Sequence, residues 1–444
     1  MKDVGDEFAT LALSTACLVD DQFGIIKHVK EASREAGDPN FFHYYAQACN
    51  TRAFWTQQNF YRTGGASSIR ALAMAKAIGE AVERYCAACY EVDEFLFTSY
   101  NEAPFECVLP EVFALYSDQQ YSSVAFPYSP FTRTTRVRWT PSVDLITGKT
   151  CHVPAAMVYL PYYYRDAEDE RAIVQPISTG LACHSSFTKA AISAICEVIE
   201  RDAFTIMWQG RVSPPRIRLD SLDESNSDLI DRFEKTGNQI ALLNLTTDCN
   251  VPTVMAVSRS QHDAYPAMVV AASTDLDPEQ SVRKAIEELA HTWQLARDLK
   301  TRLTPIEPGI DFEKSILHQD DHILLYCDSR NSYLAKVLWE STNYIDIRAL
   351  PQKTSDNVAD DFKFLIDKIR RLNYRVLLAD VTTPDIAGLG LSVVRAIIPG
   401  FHPLFMGHKF RALGGTRLWE VPKLLGFDGV NSDTGDNQAP HPYP

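Results

Sequence analysis

Three segments of the chain carry polar residues at a spacing that can bring acidic side chains together. Residues 77–84 read AIGEAVER, residues 194–201 read AICEVIER, and residues 285–291 read AIEELAH. All three share the pattern A-I-x-E-x-x-(E/H). Because positions i and i+3 lie on one face of a helix, each segment predicts one polar patch beside an apolar stripe. Ordinary exposed Glu–Arg pairs need no repeated Ala-Ile neighbours, so the repeat favours a shared function.

The residues in these patches favour magnesium and phosphate chemistry. They are Glu80 with Glu83, Glu197 with Glu200, Glu288 with His291, and the arginines Arg84 and Arg201. Converging carboxylates raise one another's pKa values unless a cation neutralises them. A set of oxygen ligands suits Mg²⁺, and neighbouring arginines suit phosphate oxygens. The sequence has no P-loop motif and no kinase HRD or DFG set, so it predicts an unusual ATP site built from helices.

Composition and charge restrict the class of protein. With 444 residues, 45% hydrophobic and 23% charged, the chain is typical of a globular protein with two or three domain-sized cores. The formal net charge of -14 argues against general nucleic-acid binding. Because the sequence has no long apolar run and its first residues are acidic, we expect no membrane span, no signal peptide and a cytoplasmic location. We interpret the ten cysteines, including the CxxC pair Cys86 and Cys89, as mostly buried, reduced thiols.

The remaining patterning predicts an α/β or α+β fold, because strand-like and helix-like segments alternate along the chain. The predicted strands are Arg136–Trp139, Ile240–Leu245, Thr253–Ser258, Ala267–Ala272 and Arg375–Asp380. The predicted helices are Ile69–Tyr90, Phe187–Trp208, Pro278–Lys300 and Ala359–Leu372. The last segment, Asn431–Pro444, is polar and then proline-rich, which favours an extended tail.

The three acidic segments resemble those of the YcaO superfamily. The most specific block is STGLACHSSFTKAAISAICEVIERDAFTIMW at Ser178–Trp208, which resembles the central block of the peptide-maturase branch. Three other blocks occur in the order of that branch: GEAVERYCA before this one, and AIEELAHTWQLAR and LGLSVVRAIIPGFHPLFMGHKFRALGG after it. The ending PHPYP resembles the PxPxP ending of azoline-forming members. The resemblance covers roughly residues 20–444. It implies a YcaO-type fold with mixed sheets and glutamate-rich helices lining an ATP site, divided into an extension (1–20), a YcaO domain (21–430) and a tail (431–444).

By matching position, the resemblance also implies the site residues. Contacts to ATP and Mg²⁺ would come from Glu80, Glu83, Arg84, Ser185, Glu197, Glu200, Arg201, Glu288 and His291, with a subset of the five glutamates as Mg²⁺ ligands. Two positions depart from the family pattern, since Lys76 stands where many members have Ser and Lys189 where many have Glu. His291 stands where Gln is common. A charged lysine cannot ligate Mg²⁺ but can hold a phosphate.

The activity implied by the resemblance is the cyclodehydration of Cys, Ser and Thr in a ribosomally made precursor peptide. ATP would phosphorylate the amide-derived oxygen, and thiazolines and (methyl)oxazolines would form, as in bacteriocin maturation. Two alternatives stay open. One is another YcaO reaction, which forms a thioamide or an amidine. The other is a non-catalytic YcaO-like scaffold in a maturation complex, which Lys76 and Lys189 would suit.

The tail suggests a catalytic role for Pro444. An extended proline-rich segment advances about 3.1 Å per residue, so Gly435 to Pro444 would span about 30 Å. That length could carry the terminal carboxylate of Pro444 into the site, where burial would make it a stronger base. The alternative is that PHPYP only packs structurally.

The resemblance implies several partners. They are the precursor peptide, a separate ThiF-like protein that grips its leader, a separate FMN dehydrogenase that oxidises azolines, and a second copy of the chain in a homodimer. We expect no nucleic-acid and no membrane partner.

Overall fold

A computed structural model describes residues 17–35, 37–352, 355, 357–427 and 435–444. Most of the predicted N-terminal extension and residues 431–434 of the predicted tail lie outside the described residues. The described residues form three sheets and ten α-helices.

The first sheet has three antiparallel strands in the order β1-β2-β3. They are β1 (Ile26–Glu31), β2 (Phe42–Ala48) and β3 (Arg62–Ser67). A second sheet has six strands, all paired antiparallel: β4 (Leu96–Ser99), β5 (Arg136–Asp144), β6 (Thr150–Pro154), β7 (Leu181–His184), β13 (Leu377–Asp380) and β14 (Ser392–Ile397). Their order is β4-β5-β13-β14-β7, and β6 also pairs with β5.

The third sheet has five strands in the order β11-β10-β9-β8-β12. Its strands are β8 (Arg216–Ile217), β9 (Gln239–Asn244), β10 (Thr253–Arg259), β11 (Met268–Thr274) and β12 (Tyr344–Ile345). The pairing of β8 with β12 is parallel, and the other pairings are antiparallel. This sheet is therefore the mixed one.

The described residues form ten α-helices, and the three longest of them carry the acidic segments. The helices are α1 (Arg70–Ala88), α2 (Asp118–Tyr121), α3 (Phe187–Gln209), α4 (Glu224–Glu234), α5 (Pro278–Arg302), α6 (Phe312–Ser315), α7 (Gln319–Tyr326), α8 (Val358–Arg371), α9 (Pro384–Ala387) and α10 (Arg417–Leu424). Among the described residues, no helix combines the length and the apolar character needed to cross a membrane.

The predicted fold class is confirmed, and the boundaries of the four predicted helices agree with the observed ones within two residues. Among the predicted strands, the largest difference is at β5, which continues five residues past the predicted end at Trp139 to Asp144. The CxxC cysteines lie at the end of α1, where Cys86 is buried and Cys89 half-buried, and both are free thiols. Burial raises the pKa of Cys86 to about 12, which suits a core residue rather than a reactive one.

The apolar stripes of the acidic helices seat them against the sheets. Ile78 of α1, Ile195 of α3 and Ile286 of α5 are completely buried, which stabilises each helix by about 1.5–3 kcal/mol per side chain. Helix α1 packs on β2 and β3, α3 on β7 and β14, and α5 on β10 and β11. The polar stripes of α1, α3 and α5 are thereby fixed in orientation.

Strand β3 also packs on both α1 and α5, and its two glycines allow this close approach. A Cβ atom at Gly65 would lie 2.5 Å from Cβ of Lys76 on α1, and one at Gly64 would lie 2.4 Å from Nε2 of His291 on α5. Only glycine fits at either position without displacing a helix residue. The two helices are therefore held on one short strand.

Candidate functional site

The three acidic helices bring their glutamates into one cluster. The negative charges of Glu80 and Glu197 both act on Glu83, and those of Glu197 and Glu288 both act on Glu200. These couplings join α1, α3 and α5, which are far apart in sequence. The structure therefore brings together all five glutamates proposed from the sequence as Mg²⁺ ligands.

Backbone amides orient four of the five glutamates. One carboxylate oxygen of each accepts a hydrogen bond from an amide of a strand or strand end: Glu80 from Gly64 (3.0 Å), Glu83 from Cys183 (2.9 Å), Glu197 from Gly180 (3.1 Å) and Glu200 from Thr274 (3.1 Å). Such bonds restrict the rotamers of the acidic side chains before any ligand arrives. The site is consequently preorganised by β3, β7 and β11 as well as by the helices.

The pKa values of two of the glutamates, Glu83 and Glu200, are strongly raised. Burial, with smaller contributions from Glu80 and Glu197, raises the pKa of Glu83 to about 8 even though Arg84 opposes the shift. Burial likewise raises the pKa of Glu200 to about 8, helped by the charge of Glu197. At neutral pH both carboxyl groups therefore hold protons unless a cation enters. A divalent cation would restore their negative charge, which is the behaviour expected of cation ligands.

Three arginines beside the glutamates have buried N–H groups that lack acceptors. Among the described residues, Nη1 of Arg84, Nε of Arg201, and both Nε and Nη1 of Arg395 have no hydrogen-bond partner. Arg84 also donates to Glu80 at 3.0 Å, and Arg201 forms an ion pair with Glu197 at 2.8 Å. Buried N–H groups without acceptors are costly, so the cluster fits an incoming anion such as a nucleotide phosphate.

Arg395 was not proposed from the sequence. It lies in β14 within the apolar run SVVRAI and is 5% exposed. A charge inside a strand that is otherwise apolar is the signal that could have identified it. Its position next to Arg84 and Arg201 depends on the pairing of β14 with β7, which no local pattern gives.

The structure explains why a lysine stands at position 76. Its ammonium group lies 3.0 Å from Oε2 of Glu287 and 3.2 Å from Oε1 of Glu288. Glu287, which was not proposed from the sequence, is almost fully buried and also accepts a 2.7 Å hydrogen bond from the hydroxyl of Ser67. The single positive charge of Lys76 is thus shared between two acidic residues of α5. Lys189 lies in the first turn of α3.

Ser185 and His291 have few contacts with the acidic cluster. Ser185 is exposed between β7 and α3, and its amide donates to Nδ1 of His184 at 2.8 Å. Within the part of the chain that the structure describes, no hydrogen bond joins Ser185 to the glutamates. His291 is half-buried, with Nδ1 4.0 Å from Oε2 of Glu288. The roles proposed for both residues stay predictions.

The end of the chain runs through the interior to the cluster. Trp208 of α3 donates to the carbonyl of Ala439 at 3.1 Å, and Tyr326 of α7 donates to that of Pro440 at 2.5 Å. The imidazole of His441 stacks on that of His322, with ring centroids 3.8 Å apart. The hydroxyl of Tyr443 then donates a 2.5 Å hydrogen bond to Glu200. The extended tail is therefore buried and ends beside the acidic cluster.

The site is not a preformed metal cage. In the described ranges, no group of three or more His, Cys, Asp and Glu side chains is arranged to hold a metal ion. Mg²⁺ in nucleotide sites commonly takes only one or two carboxylates and completes its shell with phosphates and waters. Acidic residues with buried arginines beside them therefore fit a magnesium–nucleotide pair better than a lone metal ion.

Comparisons with known proteins agree with a site for ATP and Mg²⁺. A family model described as a YcaO cyclodehydratase that binds ATP and Mg²⁺ matches residues 64–402. Over 234 residues the chain is 30% identical to an uncharacterised protein of Methanothermobacter thermautotrophicus, covering 51% of this chain and 56% of that protein. Over 128 residues it is 28% identical to an uncharacterised protein in the tfuA 3′ region of Rhizobium leguminosarum bv. trifolii, covering 27% and 29%. The chain thus spans about half, or less, of the length of these curated relatives.

Solved structures share the fold. A heterocyclase in complex with substrate and cofactor superposes with a TM-score of 0.79 at 21% identity, covering 98% of this chain and 57% of that one. The YcaO protein of Methanopyrus kandleri bound with AMPPCP and Mg²⁺ gives 0.65 at 19% identity, covering 89% and 90%. The E. coli microcin synthetase McbBCD complex gives 0.60 at 12% identity, covering 93% and 96%.

Proposed function

This chain belongs to the YcaO family, and on that premise we propose that it is an ATP-dependent cyclodehydratase that forms azolines in a peptide. The substrate would be a ribosomally made precursor peptide, and the reacting residues Cys, Ser or Thr. The observation that carries the proposal is the convergence of five glutamates with arginines whose buried N–H groups lack acceptors. Such a site suits a reaction driven by a magnesium–nucleotide pair.

The proposed reaction removes one water from the peptide. The side-chain sulfur or oxygen forms a bond to the preceding carbonyl carbon, the thiol or hydroxyl proton and the amide proton leave, and a five-membered ring with a C=N bond results. ATP, when bound, supplies the phosphoryl group that converts the carbonyl oxygen into a leaving group, so that this oxygen ends in inorganic phosphate and ADP is released. The chain's own residues position the reactants and stabilise charge.

The glutamates and arginines divide these tasks. Glu83 and Glu200 would hold Mg²⁺ and surrender their protons when it binds, because their pKa values are about 8 in its absence. Glu80, Glu197 and Glu288 would complete the acidic set, and His291 and Ser185 would bind the nucleotide at its margin. Arg84 and Arg201 would direct their free N–H groups at phosphate oxygens, where the negative charge is greatest.

We propose that the tail brings Pro444 to the reaction as a base. Support comes from Tyr443, which precedes Pro444, is 4% exposed and donates a hydrogen bond from its hydroxyl to Glu200. A carboxylate in such surroundings would be less solvated and more basic than in water. Adding one residue after Pro444 should then slow ring formation without lowering thermal stability. Normal rates in a stable extended variant would remove Pro444 from the reaction.

We further propose a leader-binding ThiF-like partner protein and, for azole products, a separate FMN dehydrogenase. The likeness to the McbBCD complex, which contains several proteins, supports an assembly of this kind. A homodimer is part of the same proposal. Size-exclusion chromatography with light scattering would test it on the chain alone.

The direct test is to incubate the chain with ATP, Mg²⁺ and a synthetic Cys-, Ser-, Thr- and Gly-rich peptide encoded beside its gene, with and without the product of a neighbouring ThiF-like gene. We expect the peptide to lose one water per ring, with one phosphate released per water. Replacement of oxygen by sulfur, seen when a sulfide source is added, would instead indicate thioamide formation. Loss of water located by fragmentation to a macrocycle would indicate an amidine, and no ATP binding would indicate a scaffold.

A further inference from the structure

Arg395 stands out because no carboxylate of the described residues forms an ion pair with its guanidinium. Its Nη2 donates to the carbonyl of Ile177 at 2.8 Å, but Nε and Nη1 are buried without acceptors in the described structure. No ion pair to Arg395 is found there either. A buried arginine normally forms a hydrogen-bonded ion pair, because an unpaired charge in the interior is strongly destabilising.

The surroundings of Arg395 do not offer the missing acceptor. Arg395 lines a cavity of about 110 Å³ whose other walls include Ile177, Val198, Leu404 and Phe405. These walls are mainly apolar. On its charged side, Arg395 experiences the attraction of Glu197 and the repulsion of Arg84 and Arg201. The group that completes its hydrogen bonding therefore does not come from the described residues, and an anionic ligand would suit the unpaired positive charge of Arg395.

We propose that Arg395 binds the terminal phosphoryl group of the nucleotide, together with Arg84 and Arg201. This inference rests on the proposed function. Glu197 already forms an ion pair with Arg201 at 2.8 Å, which leaves the third arginine for the ligand. The adjoining apolar cavity would exclude water from the transferred group, which limits its loss by hydrolysis. AMP lacks the γ-phosphoryl group, so Arg395 discriminates ATP from AMP.

The test compares Arg395→Met with Arg138→Met. Arg138 is also buried, at 3% exposure, but its guanidinium is fully paired with Glu170 at 2.6 Å and Glu168 at 2.5 Å. It lies in β5, outside the acidic cluster. The measurements are thermal unfolding of the ligand-free protein, and calorimetric titration with AMP and with a non-hydrolysable ATP analogue in the presence of Mg²⁺.

For Arg395→Met we expect the affinity for the ATP analogue to fall by about 10- to 100-fold, since a charge-assisted hydrogen bond is lost. The affinity for AMP should not change. The ligand-free variant should unfold at an equal or higher temperature, because an unpaired buried charge is replaced by an apolar side chain. Arg138→Met should lose stability and keep the affinity for both nucleotides.

An unchanged affinity of Arg395→Met for the ATP analogue would overturn the inference while leaving the proposed function intact. So would an equal loss of AMP and analogue binding accompanied by a lower unfolding temperature, because that pattern indicates a structural role. If the wild-type protein binds neither nucleotide, both the proposed function and this inference fail.

Discussion

The hydroxyl of Tyr443 donates a hydrogen bond of 2.5 Å to Oε1 of Glu200. The phenol ring stacks on Phe204, with centroids 4.4 Å apart, one turn along α3 from the glutamate it contacts. The other oxygen of Glu200 accepts from the amide of Thr274 at 3.1 Å. Glu200 is thus the point at which the tail, the central acidic helix and the third sheet meet.

Tyr443→Phe should weaken nucleotide binding more at pH 7 than at pH 9. The hydroxyl of Tyr443 lowers the pKa of Glu200, which burial raises to about 8, so its loss leaves more of Glu200 protonated at pH 7. The ring and its stacking remain. Calorimetry with an ATP analogue and Mg²⁺ at the two pH values measures the effect. Tyr90→Phe, which removes a hydroxyl that donates to Pro161, is the control and should show no change. An equal affinity loss at both pH values would contradict the prediction.

Glu83→Gln and Glu200→Gln should each lower ATP turnover by about 100-fold or more if these residues hold Mg²⁺. Because both carboxyl groups are largely protonated at pH 7 without a cation, glutamine imitates their resting state and the unfolding temperature should change little. Asp228→Asn is a matched control, since Asp228 forms an i,i+4 ion pair with Arg232 at 2.8 Å on the exposed side of α4. If Glu83→Gln and Glu200→Gln keep as much ATP turnover as the control variant, the acidic pairs have only a structural role.

Lys76→Met should destabilise the protein by about 1–3 kcal/mol. Removing a buried partner costs about 3–5 kcal/mol, and we reduce this because the Lys76 side chain is 25% exposed. The cost arises at Glu287, whose nearly buried carboxylate would keep only a longer ion pair with Arg283 at 4.0 Å. Urea unfolding of Lys76→Met, Glu287→Gln and the double variant measures the coupling. The double variant should recover part of the loss, and strictly additive effects would show that the pair is not coupled.

Acid should release the tail. Burial lowers the pKa of His441 to about 4 and that of His322 well below its usual value of 6.5. The unfolded chain therefore binds protons at higher pH than the folded protein does. The stability that these neutral histidines contribute is fully present above pH 6.5 and declines as the pH falls from 6.5 towards 4. In His441→Gln the free energy of unfolding should fall less steeply over this range. The same slope as in the wild-type protein would contradict the prediction.

The long helices and the members of the acidic cluster could be predicted because they follow from local spacing. The repeat A-I-x-E-x-x-(E/H) places apolar and acidic residues on fixed faces of α1, α3 and α5 wherever those helices lie. Buried Ile78 and Ile195, with Glu80 and Glu197 on the polar side, follow that rule. Convergence was a hypothesis drawn from repetition, and the charge couplings between the helices agree with it.

The partners of these residues could not be predicted, because they come from distant parts of the chain. The ion pair of Lys76 with Glu287 joins residues 211 positions apart. The hydrogen bond from the amide of Cys183 to Glu83 requires β7 to lie beside α1. The position of Arg395 next to the acidic cluster requires β14 to lie beside β7. The order of the strands and the packing of the helices on the sheets determine these contacts, and only the assembled fold contains both.

The most direct test of the account is calorimetric titration of the wild-type protein with a non-hydrolysable ATP analogue, with and without Mg²⁺, at pH 7 in buffers of different ionisation enthalpy. If the glutamates of α1, α3 and α5 form one magnesium–nucleotide site, binding should require Mg²⁺ and should release protons from Glu83 and Glu200, whose pKa values are about 8 before binding. The heat should therefore depend on the buffer. Binding that is indifferent to Mg²⁺ and releases no protons, or no binding, would contradict the account.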